Sequence, residues 1–165
     1  MFAACSSTPA DPPADPIFIA LPSDFQPYAS WTSFYVGDAT TLDGVDLPGP
    51  RTVYINQMPP PGSTQFPVGT ILVKVVQTDP PPTSWQMFGM VKRGGGFDQA
   101  GAPGWEWFGL NITAQDTVAI VWRGDGPPPD GGYGGLPGNL SCVFCHVAAV
   151  ANDYVQTPQL QLDKL

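Results

Sequence analysis

From Trp31 onward, short runs rich in valine, isoleucine, threonine and aromatic residues alternate with clusters of glycine, proline and aspartate. Runs of that composition bounded by such clusters predict β-strands. The runs are Trp31–Val36, Thr52–Asn56, Thr70–Gln77, Trp85–Lys92, Trp105–Ile112 and Thr117–Trp122. Between them lie the turn signals Asp43-Gly44, Pro59-Pro60-Pro61-Gly62, Asp79 to Pro82 and Gly94-Gly95-Gly96. Sequential strands joined by turns pair antiparallel, so the pattern predicts a mainly β, meander-like antiparallel sheet with one face covered. Short helices are expected around Ser23–Ala29, at Cys142–His146 and over the Ala/Val-rich Val147–Asp153, and the tail beyond is ambiguous. Residues 1–16 are expected to form a flexible tether, because Pro12, Pro13 and Pro16 with Asp11 and Asp15 cannot build a core. A single domain over residues 17–165 follows.

Composition agrees with that architecture. Charged residues are 12% of the 165, against 19 glycines and 21 prolines, which describes a loop-rich β protein. A formal charge of −8 argues against nucleic acid or an anionic membrane surface as partner. No stretch is long and apolar enough to span a bilayer.

Chemistry concentrates near the carboxyl end, at Cys142-Val143-Phe144-Cys145-His146. A Cys-x-x-Cys-His pentapeptide is the attachment pattern of a c-type haem. Each sulfur adds to a porphyrin vinyl group, and the following histidine supplies the proximal iron ligand. Cys142 and Cys145 are therefore the expected thioether residues and His146, the one histidine in the chain, the expected iron ligand. A thioredoxin-like pair would need a βαβ context, and a zinc site would need further Cys or His ligands; neither pattern is present. A long Pro/Gly stretch, Pro127 to Gly138 with Tyr133 in it, leads into the motif. Loops of that length in compact domains are usually functional.

With one histidine, the sixth iron position falls to methionine, another side chain, water or nothing. Met58 in its proline loop is the better methionine candidate. Met87 and Met90 are three apart on a strand and must point to opposite faces. Lys74 interrupts the apolar run Thr70-Ile71-Leu72-Val73-Lys74-Val75-Val76 on the face of Leu72 and Val76. It either snorkels or pairs with a carboxylate, or it is a nucleophilic or cationic group held against a porphyrin. Glu106, the sole glutamate, alternates onto the face of Phe108 and Leu110. It is either a proton shuttle in a pocket or an ion-pair partner of Lys92 or Arg93. Arg51 and Arg123, at strand ends, either touch a propionate or a polar ligand or, as charged residues at strand ends usually are, are just solvated.

The third cysteine, Cys5, lies in Phe2-Ala3-Ala4-Cys5-Ser6-Ser7. That run resembles a bacterial lipobox and predicts a lipid anchor, the alternative being a spare thiol in a tail. Haem attachment of this type takes place outside the cytoplasm, so the expected address is the bacterial periplasm or envelope.

The chain resembles the cytochrome P460 family, with the related β-sheet cytochromes c′, from about Tyr28 to the C-terminus. The resemblance rests on Trp31-Thr32, on Arg51-Thr52-Val53-Tyr54-Ile55-Asn56 and on Phe66-Pro67-Val68-Gly69-Thr70-Ile71-Leu72-Val73-Lys74. It also rests on the haem motif with Asn152-Asp153-Tyr154-Val155 after it. It implies an antiparallel β fold, commonly dimeric, with one five-coordinate haem c. It matches Lys74 to the lysine that P460 proteins cross-link to the porphyrin, and Arg51 to a distal arginine. It implies oxidation of hydroxylamine or nitric oxide, with electrons leaving to a soluble acceptor cytochrome. The cytochrome c′ relatives instead imply binding of NO or CO without turnover, and a methionine sixth ligand would make an electron carrier. The family's catalytic carboxylate has no matching glutamate in Pro127–Leu140, where Asp130 is the only acid; Glu106 and Asp130 are the candidates for that role.

Overall fold

The computed structural model describes residues 15–39, 47–78, 82–126 and 142–165. Residues 1–14 of the tether, with Cys5, the Asp43-Gly44 turn, residues 79–81 of the Asp79 to Pro82 turn, Asp130 and the Pro127 to Gly138 stretch lie outside them. Strands β1 (Thr32–Ala39), β2 (Gly49–Ile55), β3 (Ile71–Val76), β4 (Gln86–Lys92), β5 (Trp105–Ile112) and β6 (Val118–Gly124) follow one another along the chain. They form one antiparallel sheet in the order β1-β2-β3-β4-β5-β6, the expected meander. The largest departures from the predicted bounds are at β1 and β2. β1 continues through a register shift between Tyr35 and Asp38, with Gly37 at φ 92, and this lets Gly49 and Pro50 pair and begin β2 early.

Both faces of the central strands are covered, not one. Strand alternation sends Ile71, Val73, Val75, Met87, Phe108 and Leu110 to one face. There they meet Phe25 of α1 (Pro22–Phe25) and Tyr28 of the 3-10 turn that follows it. Val53, Ile55, Leu72, Met90, Trp105, Trp107 and Trp122 take the other face and meet Val155, Leu160 and Leu162 from the C-terminal segment. Double coverage explains why β3 and β4 read as nearly continuous apolar runs. Each fully buried large side chain contributes about 1.5–3 kcal/mol, so both coverings stabilise the sheet.

Glycine makes two of the close approaches. Gly89 opens the first face so that Phe25 packs on Phe108 with ring centroids 5.1 Å apart. Gly109 lets the Trp122 indole lie directly on the β5 backbone of the second face, where a Cβ would collide with it.

Candidate functional site

The second face is where the Cys-x-x-Cys-His segment lands. Residues Cys142–His146 form the short helix α2, continued by a 3-10 turn over Val147–Asn152. At 3.6 residues per turn, Cys142, Cys145 and His146 share one side of the helix, while Phe144 and Val147 point the opposite way. The outward row Phe144, Val147 and Val150 is exposed. Cys142 is half-buried and packs into the Trp-rich cluster of the second face, whereas Cys145 is exposed. Burial pushes the Cys142 thiol up to about 12, and the positive charge of Lys74 opposes that rise. Lys74 and Asp125 both lie within electrostatic reach of this sulfur.

His146 is oriented from two sides. Its ring meets Trp107 edge-on, with centroids 4.5 Å apart. Its Nδ1 lies 2.7 Å from the carbonyl oxygen of Tyr154. A carbonyl can only accept, so Nδ1 carries the hydrogen and the lone pair of the neutral ring sits on Nε2. That is the arrangement in which a histidine ligates a metal.

The Tyr154 carbonyl reaches His146 because Asp153 and Tyr154 are consecutive left-handed residues, at φ 50 and 66. Such a conformation costs on the order of 1–3 kcal/mol for each non-glycine residue and persists only where its surroundings impose it. Here they do. Lys92 Nζ donates to Asp153 Oδ1 at 2.7 Å and to Oδ2 at 2.9 Å, with both side chains buried. The Phe66 N–H also donates to Oδ2 at 2.9 Å. Next door, Asn152 Nδ2 donates to the carbonyls of Val155 and Leu160, and its Oδ1 accepts from the Leu162 N–H.

Lys74 emerges from β3 on the motif face, half-buried between its cross-strand neighbours Val53 and Phe88. Its Nζ stands 5.2 Å from the centre of the Phe88 ring. Met90 shares this face, Met87 is buried on the opposite one, and Met58 is exposed in its loop. Arg51 belongs to the motif face by register and donates from Nε to the Gly37 carbonyl at 3.3 Å, out at the β1 bulge.

Glu106 is not brought to the motif. It alternates onto the face of Phe108, as its position predicts, and that face is the one turned away from His146. Buried there, its Oε2 accepts from Arg93 at 3.2 Å, and Arg123 clasps both oxygens at 2.7 and 2.8 Å. Arg123 also stacks on Phe108 and donates to the Ala20 carbonyl at 3.0 Å. Both residues are thus committed to fastening the N-terminal segment to the sheet. Lys92, the other partner expected for Glu106, pairs with Asp153 instead.

Residues that sequence reasoning left without a role are Trp107, Asp125 and the Lys92–Asp153 pair. Alternation places Trp107 with Trp105, yet nothing local says that His146 will fold onto it. The residues on this face suit a covalently held porphyrin. Two sulfurs and an imidazole share one side of a helix, the imidazole tautomer is the ligating one, and the buried Trp107 Nε1 has no hydrogen-bond partner among the described residues.

Comparison with protein-family models, with curated proteins and with solved structures gives no match for this chain.

Proposed function

We propose that this chain is a mono-haem c-type protein of the P460 type that oxidises hydroxylamine or nitric oxide and passes the electrons to a soluble acceptor cytochrome. The observation that carries this reading is the seating of Cys142, Cys145 and His146 over the sheet face that bears Lys74, Phe88 and Trp107. Cys142 and Cys145 would hold the porphyrin as thioethers, and Nε2 of His146 would ligate its iron. When bound, the haem supplies an open coordination position for a small nitrogen ligand and a route for its electrons. The Tyr154 carbonyl keeps the imidazole in its ligating tautomer. Val53, Leu72, Phe88 and Met90 give the face an apolar wall that limits water. Lys74 lies on this face within electrostatic reach of Cys142, and in the P460 pattern it would be cross-linked to the porphyrin.

Removing two electrons and two protons from hydroxylamine leaves nitroxyl, so the chain must also accept protons. With Glu106 engaged on the far face, the role falls to Asp125, which lies within electrostatic reach of Cys142, or to Asp130, which is outside the described residues. The same reading puts the protein in the bacterial periplasm or envelope, lipid-anchored at Cys5, and paired with a second copy.

The engagement of Glu106 favours a second reading, a cytochrome c′-like protein that binds NO or CO without turnover. Two measurements on the matured protein separate them. Oxidation of hydroxylamine with an artificial acceptor, together with a digest in which the Lys74 peptide travels with the Cys142–Cys145 haem peptide, is expected for the enzyme. A separate Lys74 peptide and no turnover, with NO still bound, is the result for the gas binder.

A further inference from the structure

We propose that the buried Lys92–Asp153 pair is the positioning device of the proximal histidine, setting the His146 imidazole before any cofactor arrives. The proposal deepens the haem-site reading and depends on it only where iron is measured.

Lys92 comes from the end of β4 and Asp153 from the turn after α2, so the pair ties the motif segment to the sheet. The ammonium is saturated, donating to Pro103 O at 3.1 Å and to both Asp153 oxygens. The Phe66 N–H fills a further site on the carboxylate. A buried ion pair is a poor source of net stability compared with apolar packing, and its better-attested use is to specify one arrangement over others. Here the arrangement specified is the left-handed turn at Asp153 and Tyr154 that aims the Tyr154 carbonyl at Nδ1 of His146.

The test uses the full chain, first without haem. Because His146 is the only histidine, nitrogen-15 NMR of imidazole reports this one ring, read at a pH of about 8 where an ordinary ring is neutral. The wild type is expected to show the Nδ1-protonated tautomer with slowed hydrogen exchange. The double variant Lys92→Met/Asp153→Asn, which removes both charges together, should give mixed tautomers and faster exchange. Should it fail to fold, Asp153→Glu, which keeps the charge and displaces the turn, carries the same expectation. Phe25→Leu, on the opposite face, should lower Tm and leave the tautomer alone. In the haem-loaded ferrous protein the iron–histidine stretch should move to lower frequency in the double variant. A wild-type ring protonated at Nε2, a variant with the wild-type tautomer, or an unmoved stretch overturns the proposal. A wild-type chain that never attaches haem overturns the haem reading, while the tautomer result still decides this one.

Discussion

Two cysteines three positions apart meet different surroundings, and that difference is measurable. Cys142 is packed against the sheet with its thiol pushed up to about 12 by burial, while Cys145 is exposed. The fold favours the protonated thiol of Cys142, so the stability this group contributes is complete below its ordinary value near 9.0 and is lost as pH rises toward about 12. In the haem-free chain at a pH of about 8, well under the raised thiol value, iodoacetamide is expected to modify Cys145 first and to leave Cys142 until the pH is raised. Peptide mass after timed quenching reads the order, and a faster Cys142 would contradict it. Once both sulfurs are thioethers this alkaline sensitivity should vanish. Glu106 supports a separate expectation. Its arginine partners are about one-third exposed, at 29% and 33%, so water replaces part of what Glu106→Gln removes. The loss should be about 1.5–3 kcal/mol in urea unfolding, the range for hydrogen bonds to charged groups. Ligand binding at the motif face should be unchanged, because Glu106 points away from it.

The C-terminal segment is the element on which the site depends, and it is held by few residues. Asn152 alone satisfies backbone groups of Val155, Leu160 and Leu162. Each buried polar group left unsatisfied costs about 1–3 kcal/mol, and relaxation recovers some of it. Asn152→Ala should therefore cost about 2–5 kcal/mol, in the upper range for point substitutions. In hydrogen exchange the amides of Val155 to Leu165 should lose protection while β3, β4 and β5 keep theirs. Equal loss across the sheet would show that the segment does not unfold as a separate unit. This element was also the least legible in the sequence. The strands announce themselves because alternation and turn residues are local signals, and β5 spans Trp105–Ile112 as predicted. The tail has no period: Leu160 and Leu162 are buried through short 3-10 turns fixed by Asn152, and no local pattern encodes that docking.

At the scale of the whole molecule the sheet is a divider, and each residue's function follows from the side it occupies. Alternation assigned Lys74 and Glu106 to their strand faces directly from the sequence. Which of those faces would receive the motif is a long-range property, decided by where the C-terminal segment packs. That packing separates the two residues, leaving Lys74 within electrostatic reach of Cys142 and Glu106 on the Phe108 face with its arginines. The same long-range packing puts Trp107 and the Tyr154 carbonyl around His146, an environment no stretch of sequence displays. The site as a whole stands or falls on covalent attachment at the motif. Denaturing mass spectrometry of the chain produced alongside a c-type haem maturation system tests this directly. The expected spectrum retains the mass of one haem through acid and organic solvent, mapped to the peptide of Cys142 and Cys145. The bare polypeptide mass, with both thiols open to alkylation, would contradict it.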